Sequence, residues 1–311
     1  AYQTNAVGSL STTQDYERWT RDNTKPEELL FNRKGGQNNT PLAYGKGSSY
    51  YYHLTYNGAL NYSRDFGKHH VGGMAYMFFQ NLTKADTGSP GLLPYNRVSS
   101  GAEATYSFDN RYHIKFDVGY SGSEQYARSD RYTFTPAISA AWEVSNEDFM
   151  KDATWLSNLK LRASYGKTAN DQSGLNRFAY LDEVTVRGGG PIGSLQYIID
   201  ERTVGNPHIQ AEISTKQNYG LDLGLFNSLS FTVDVFKERM NNMVVSALSA
   251  IPLYQGIPLN NYPKTNTGIF ENKGYEITAN YTRALNKDVK ISLGGLIGYS
   301  KNKVINTNEP L

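Results

Sequence analysis

The sequence predicts an all-β protein, the antiparallel up-and-down wall of a transmembrane β-barrel. Apolar and polar residues alternate along Tyr112–Tyr120, Leu229–Val235 and Val289–Tyr299. Successive strand side chains point to opposite faces, so each segment has one apolar and one polar face. The segments exceed the five or six residues of an ordinary strand, and their polar face carries charge. Short and long connections also alternate. This combination is typical of a wall between lipid and water.

Composition agrees with a barrel. The 311 residues contain no stretch of about 18 uncharged apolar residues, so we predict no transmembrane helix. The low mean hydropathy is compatible with a membrane barrel, because alternate strand residues alone meet lipid. The chain has 24 tyrosines against 13 phenylalanines and 3 tryptophans. Tyrosine suits a membrane boundary, where the ring is apolar and the hydroxyl stays hydrated.

Charge and cysteine content exclude several function classes. The formal charge of +2 is nearly balanced and no basic run stands out, so we expect no nucleic-acid partner. The absence of cysteine excludes disulfides, zinc–thiolate sites and thiol nucleophiles. Residues near Ala1 show no signal-peptide pattern, which indicates either its removal or a start within a longer chain.

Alternation and turn chemistry predict about 10–12 strands. Residues 1–47 are predicted as a strand remnant followed by an outer loop. Pro136 lies inside a predicted strand and removes a ladder hydrogen bond, so we expect a bulge or gap there. The ten clearest strands are predicted at roughly 48–66, 69–84, 97–109, 111–126, 131–143, 157–168, 213–226, 228–243, 272–285 and 288–304.

Short and long connections are predicted to lie on opposite sides of the wall. Tight turns are predicted at 67–68, 109–110, 227–228 and 285–288, where Gly, Asn and Asp favour chain reversal. Following the strands in order places all of these on one side of the wall. Three long loops, at 85–96, 169–212 and 244–271, fall on the other side, as in outer-membrane barrels. The remaining link on the tight side, 144–156, is predicted to hold a short helix capped by Ser145 or Asn146, with an irregular turn as the alternative.

Four sequence blocks resemble SusC/RagA-type TonB-dependent transporters in order and spacing. They are YTFTPAISAAW at 132–142, WLSNLKLRASYGKTAND at 155–171, NYGLDLGLF at 218–226 and NKGYEI at 272–277. The resemblance implies a 22-stranded barrel of the bacterial outer membrane with a plug domain inside, powered by TonB. It also implies a SusD-like surface lipoprotein that captures glycans or peptides.

The chain departs from this family in three respects. It shows no TonB box and no plug-like segment, and its strands are too few for the whole barrel. Residues 308–311 lack the aromatic final residue of an outer-membrane strand. We therefore expect residues 1–311 to be a single region from the centre of a longer barrel domain.

Most polar clusters are predicted to be solvated rather than functional. No catalytic residue, cofactor site or metal site is predicted. Adjacent carboxylates at 182–183 and 200–201 lack a calcium-ligand spacing, and Gly188–Pro191 matches no phosphate-binding loop. His69 and His70 point in opposite directions in a strand, which disfavours joint metal binding. The other histidines are His53, His113 and His208.

Aromatic residues of the long outer loops are the predicted ligand contacts. Their rings can stack on sugars, and a nearby arginine can orient polar groups. The alternative is that these rings pack the loops together or form the upper membrane girdle. The substrate-binding candidates are Tyr180, Arg187, Tyr197, Tyr254 and Tyr262.

The resulting hypothesis is a barrel segment of an importer of oligosaccharides or oligopeptides, with TonB acting through a plug outside this chain. One alternative is a complete small barrel that serves as an anchor or adhesin. Another is a barrel lipase, which needs a Ser and a His within reach near the lipid face. The sequence places His53 and His113 on the water-facing side instead.

Overall fold

The computed structural model describes residues 2–11, 18–21, 31–34, 43–84, 93–175, 177–188, 197–247, 254 and 261–307. Side chains are described from Tyr51 onward within these ranges, except at 187, 188 and 200. No helix in the described ranges is long and apolar enough to cross a membrane.

Strands dominate the described residues, and two short 3-10 turns, Val144–Asn146 and Asp148–Met150, interrupt them. The strands are β1 (Tyr2–Ser11), β2 (Arg18–Arg21), β3 (Phe31–Lys34), β4 (Ala43–Phe66), β5 (His69–Lys84), β6 (Tyr95–Phe108), β7 (Tyr112–Ser123), β8 (Tyr132–Glu143), β9 (Leu156–Asn170), β10 (Glu183–Gly188), β11 (Tyr197–Thr203), β12 (Glu212–Leu225), β13 (Leu229–Ser246), β14 (Lys264–Ala284) and β15 (Lys290–Asn306).

The chain divides into two compact units. The first unit comprises Ala1–Leu54 and Leu82–Pro94, and the second comprises Thr55–Asn81 and Tyr95–Leu311. In the first unit, β1 pairs antiparallel with Ala43–Tyr52 of β4, and β2 pairs with β3. The predicted strand remnant in 1–47 is therefore present as β1.

In the second unit, strands that follow each other in sequence are neighbours in one sheet. The order is β4-β5-β6-β7-β8-β9-β12-β13-β14-β15. The single interruption arises because β10 and β11 form a separate hairpin within the predicted loop 169–212. This arrangement confirms the predicted antiparallel up-and-down sheet.

All ten predicted strands are present, with small shifts at their ends. The predicted loop 244–271 is the main difference, because β13 extends to Ser246 and β14 begins at Lys264. The hydrogen-bond ladder between β13 and β14 continues through this extension, where Ser246 lies opposite Lys264. The alternating apolar pattern weakens over these residues, so the sequence pattern underestimated the strand length.

Two tight turns have the backbone conformation of type I′ turns. Asp109 and Asn110 have φ of 51° and 52°, and Phe226 and Asn227 have φ of 53° and 52°. This geometry matches the twist of a two-stranded hairpin. The second turn lies one residue earlier than predicted. In the turn after β14, Asn286 Oδ1 accepts the backbone N–H groups of Asp288 and Val289, at 3.0 and 2.8 Å.

The short helix predicted in 144–156 is present as a 3-10 turn at Asp148–Met150, whereas the predicted cap by Ser145 or Asn146 is wrong, since neither 3-10 turn has a side-chain cap. Glu147 explains the difference. Its carboxylate accepts hydrogen bonds from Tyr112 Oη at 2.6 Å, Trp142 Nε1 at 2.9 Å and Arg111 Nη1 at 3.0 Å. An extended Glu147 between the two turns directs its side chain to these partners on β7 and β8.

The predicted gap at Pro136 is present on one side of β8. The ladder to β7 runs through Pro136, which lies opposite Val118. The ladder to β9 begins one residue later, with Ala137 opposite Gly166. Proline lacks the N–H group that would continue a ladder. Residues 132–136, the outer part of β8, are therefore not paired with β9 among the described residues.

Apolar side chains line up across the sheet from β6 to β15. Adjacent residues in this row are register partners on neighbouring strands. We call the face that carries this row the apolar belt, and the opposite face the polar face. The row consists of Phe108, Tyr112, Trp142, Leu161, Leu221, Val233, Ile277 and Ile297.

The apolar belt is exposed in this chain. The exposed fractions of Phe116, Tyr219 and Ile297 are 52, 61 and 67%. Six apolar side chains are buried among the residues with described side chains, too few for the dry interior of a soluble protein. A soluble protein rarely exposes so large an apolar surface. The belt residues therefore do not fill a closed core, and the arrangement suits contact with hydrocarbon.

We predict that adjacent residues of β7 contact different solvents. The natural chain has no cysteine, so single cysteines can be introduced at Phe116 and Asp117. In lipid bilayers, Phe116→Cys should react with a membrane-dissolved maleimide, and Asp117→Cys with a water-soluble one. Equal labelling of both positions by the water-soluble reagent would contradict a lipid-facing belt.

We predict a pH-dependent contribution of Glu147 to stability. Hydrogen bonds from Tyr112 and Trp142, with the nearby Arg111 guanidinium, lower the pKa of Glu147. The carboxylate therefore stabilises the fold at neutral pH, and this contribution is lost as the pH falls below about 4.3, the ordinary glutamate pKa, through the folded value. Glu147→Gln should lower the melting temperature at pH 7 and flatten its decrease on acidification.

The matched control for this prediction is Asp152→Asn, which removes an exposed carboxylate from the same link. Thermal unfolding in detergent, monitored by circular dichroism between pH 7 and pH 3, measures both variants. Identical pH profiles for Glu147→Gln and the unmodified protein would refute the role of Glu147.

Candidate functional site

The polar face carries ion pairs in the middle of the wall. Lys115 Nζ lies 2.8 Å from Glu103 and 3.4 Å from Asp117. Lys160 Nζ lies 2.7 Å from Glu143. These groups are part-exposed, so each pair contributes little to stability. Their importance is that charge lies deep within the strands, which requires water or a polar partner on this side.

Arg162 is the centre of the largest of these arrangements. Its Nε and Nη2 donate to the two oxygens of Asp222 at 2.8 and 3.1 Å, and Nη2 also lies 3.2 Å from Asp234. Gly220, directly opposite Arg162, makes this possible, because a Cβ there would lie 2.6 Å from Cζ of the guanidinium. Asp234 lies opposite Glu276 on β14. The patch therefore has more carboxylates than arginines.

A groove of about 430 Å³ lies on the polar face beside this patch. Four basic side chains reach it from β7 and β9, and the rest of its lining combines hydroxyl and amide groups with apolar residues such as Ile114 and Ala140. A surface of this kind suits the hydrated wall of a passage for polar molecules. The basic residues are His113, Lys115, Lys160 and Arg162.

At the end of the sheet opposite the tight turns, loop residues form a small core. Tyr126, Ile209 and Ala211 are buried there, and Tyr180 packs against them. Burial raises the pKa of Tyr126 to about 12. Tyr180 thus helps to pack the loops. Tyr262 is also buried, with 1% of its side chain exposed, and presents no ring surface for stacking in this conformation.

Two of the other predicted ligand contacts are exposed. Tyr197 and Tyr254 are exposed to 75 and 88%. Tyr197 begins β11, where it lies opposite Gly188. The backbone of Arg187 pairs with Ile198, whereas the Arg187 side chain lies outside the described residues. The structure thus separates two exposed tyrosines from two packed ones.

The histidines have different surroundings. His69 Nδ1 lies 2.7 Å from the Tyr106 hydroxyl, and His70 Nδ1 contacts the Asp65 carboxylate. Neither forms the serine–histidine pair of a hydrolase. His113 faces the polar groove, as expected. In the part of the chain with described side chains, no group of three or more potential metal ligands is present.

Sequence reasoning did not identify Glu147 or the group around Arg162. The sequence does contain a signal for the group around Arg162, because charged residues occur at the polar positions of β9, β12 and β13. The sequence alone does not specify register, so it did not show that these charges meet.

Comparisons with known proteins agree with this geometry. The family model described as "TonB dependent receptor-like, beta-barrel" matches residues 1–311, the whole chain. The TonB-dependent receptor SusC of Bacteroides thetaiotaomicron is 26% identical over 284 residues, which cover 84% of this chain and 28% of SusC. The TonB-dependent receptor P3 of Formosa agariphila is 26% identical over 273 residues, or 79% of this chain and 26% of that protein.

Solved structures show the same fold. A structure of the RagAB peptide transporter matches with a TM-score of 0.69 and 21% identity, covering 86% of this chain and 32% of the other. The outer-membrane transporter YddB from Escherichia coli matches with a TM-score of 0.56 and 10% identity, covering 97% and 39%. The chain thus spans about a quarter to two fifths of the proteins it matches. It belongs to the TonB-dependent receptor family of the bacterial outer membrane, resembles its SusC/RagA-type members, and contributes antiparallel β-barrel wall.

Proposed function

We propose that this chain is the central barrel segment of a SusC-like importer that takes up oligosaccharides or oligopeptides. A plug domain and a TonB box, both outside this chain, gate the passage and receive energy from TonB. The observation that carries the proposal is the two-sided wall, with the apolar belt on one face and ion pairs on the other. We propose that the energy for active transport comes from the partner complex.

The size of the relatives supports a longer polypeptide. SusC and P3 are each covered to about a quarter of their length. In addition, β15 is the last strand of the sheet, and in the described residues its paired neighbour is β14. An unpaired strand edge in lipid costs several kcal/mol per group, so we expect a further strand to cover it.

The β10–β11 hairpin supports a protein partner at the outer end. Val184, Val186, Tyr197 and Ile199 occupy one face of the hairpin and are exposed to between 53 and 75%. Exposed apolar patches with polar surroundings mark interaction sites. A SusD-like surface lipoprotein is the partner that we propose for this face, because the hairpin lies on the side of the long loops.

We predict energy-dependent uptake by the complete protein. Cells that carry it should accumulate a fluorescent oligosaccharide or oligopeptide, whereas cells without the gene should not. Dissipating the proton gradient or deleting TonB should abolish accumulation while surface binding persists. Uptake that continues without TonB would indicate a passive pore and would contradict the proposal.

We also predict that the two exposed loop tyrosines contact the transported ligand. Tyr197→Ala and Tyr254→Ala should each weaken ligand binding about threefold to tenfold, the range expected for loss of one aromatic contact. Replacement by phenylalanine should restore binding, since the ring is kept. Leu181→Ala, an exposed apolar truncation in the loop that contains Tyr197, is the control. Unchanged affinity in both alanine variants would remove these residues from the site.

A further inference from the structure

The polar face contains a second, larger cavity that extends from β4 and β5 to the outer ends of β6 to β9. Its volume is about 700 Å³, within the range of about 300–1,000 Å³ that holds small ligands. It is distinct from the groove around Lys115 and from the loop tyrosines. Its lining includes Tyr76, Phe78, Arg97, Ser121, Arg131 and Thr133.

One edge of this cavity borders the interruption of the β8–β9 ladder. Pairing between these strands begins at Ala137 and Gly166, so among the described residues Thr133 has no register partner on β9. Ala169, near the end of β9, lines the same space. Pro136, which lacks the N–H group that would continue the ladder, lies beside this edge.

The charges lining the cavity do not balance. Arg97 forms a two-point ion pair with Asp171, in which Nε donates to Oδ2 at 2.6 Å. Arg131 forms no ion pair with a carboxylate in the described part of the chain, and its Nε is buried without a hydrogen-bond partner there. The neighbouring Asp130 instead accepts a hydrogen bond from Ser129 at 2.7 Å. One positive charge therefore remains uncompensated.

Aromatic rings line the side of the cavity opposite Arg131. The Tyr76 ring lies over Gly101, where a Cβ would overlap it, and Phe78 lies two residues along the same strand. Between the rings and Arg131 runs a row of hydroxyl groups. Ser99, Ser121 and Thr133 are register partners on three successive strands.

We propose that this cavity binds a ligand with a carboxylate next to an apolar or ring-shaped body. Arg131 binds the carboxylate, since guanidinium groups recognise carboxylates through two parallel hydrogen bonds. Tyr76 and Phe78 contact the body, and the hydroxyl row binds its polar groups. Two sources offer this chemistry, the free C-terminus of a short peptide and a uronic-acid sugar. The assignment deepens the proposed import function, because the cavity faces the passage.

Binding to the complete purified protein in detergent tests the assignment without requiring transport. The peptide probes are an N-acetylated tetrapeptide ending in phenylalanine and its C-terminal amide. The sugar probes are trigalacturonate and its methyl ester. Isothermal titration calorimetry should show binding of one acidic probe and a loss of about tenfold to a hundredfold for its neutral partner, as expected for a charge-assisted contact. The probe pair that binds identifies the source.

Single substitutions separate the role of Arg131 from that of the aromatic rings. Arg131→Gln should weaken binding of the acidic probe about tenfold to a hundredfold and leave the affinity of the neutral probe unchanged. Arg131→Lys should restore part of the lost affinity. Arg128→Gln, an exposed arginine in the same loop, is the matched control. Tyr76→Ala should weaken binding of both probes about threefold to tenfold, and Tyr76→Phe should leave both affinities unchanged. Circular dichroism melting verifies folding of each variant.

The assignment is overturned if neither acidic probe binds, if acidic and neutral probes bind equally, or if Arg131→Gln binds as the unmodified protein does. These outcomes do not contradict the proposed import function, because uptake is measured separately in cells. Conversely, tight binding by a protein that does not transport would support the cavity and refute the import function.

Discussion

The antiparallel hydrogen-bond ladder is the constraint on which the rest of the structure depends. In hydrocarbon each backbone N–H and C=O must be paired within the protein, and a continuous ladder achieves this. The ladder also sets the register, which aligns the apolar row from Phe108 on β6 to Ile297 on β15. The same register places Arg162 beside Asp222 on the polar face. One geometric rule thus determines both the lipid contact and the lining of the passage.

The two ends of the wall differ in regularity. At the tight-turn end, Glu147 connects the start of β7 with the end of β8, and backbone hydrogen bonds join neighbouring turns, as from Asp109 N–H to Lys68 O at 2.7 Å. At the other end the ladder breaks beside Pro136, and Tyr126, Ile209 and Ala211 form a small core of loop residues. The regular end supplies stability, whereas the irregular end supplies surfaces that can recognise a ligand or partner.

The sequence predicted strands well and loop structure poorly, for a physical reason. Strand alternation is local, so β5 and β8 were located to within one residue. The outer extensions of β13 and β14 lack a clear alternating pattern, and the β10–β11 hairpin consists of two short strands inside the segment predicted as a loop. The short helix predicted in 144–156 is reduced to a 3-10 turn without the predicted cap, because Glu147 is extended and contacts Tyr112 and Trp142. Such contacts are not visible in a local pattern.

The sequence by itself determined the all-β class, the two-faced wall, the side on which the tight turns lie and the family resemblance, because each is encoded in residues close together along the chain. The tertiary structure alone decided which charges meet, that Tyr180 and Tyr262 pack while Tyr197 and Tyr254 are exposed, and that Arg131 shares a cavity with Tyr76. These features depend on register and on contacts between residues far apart in sequence, which alternation does not encode.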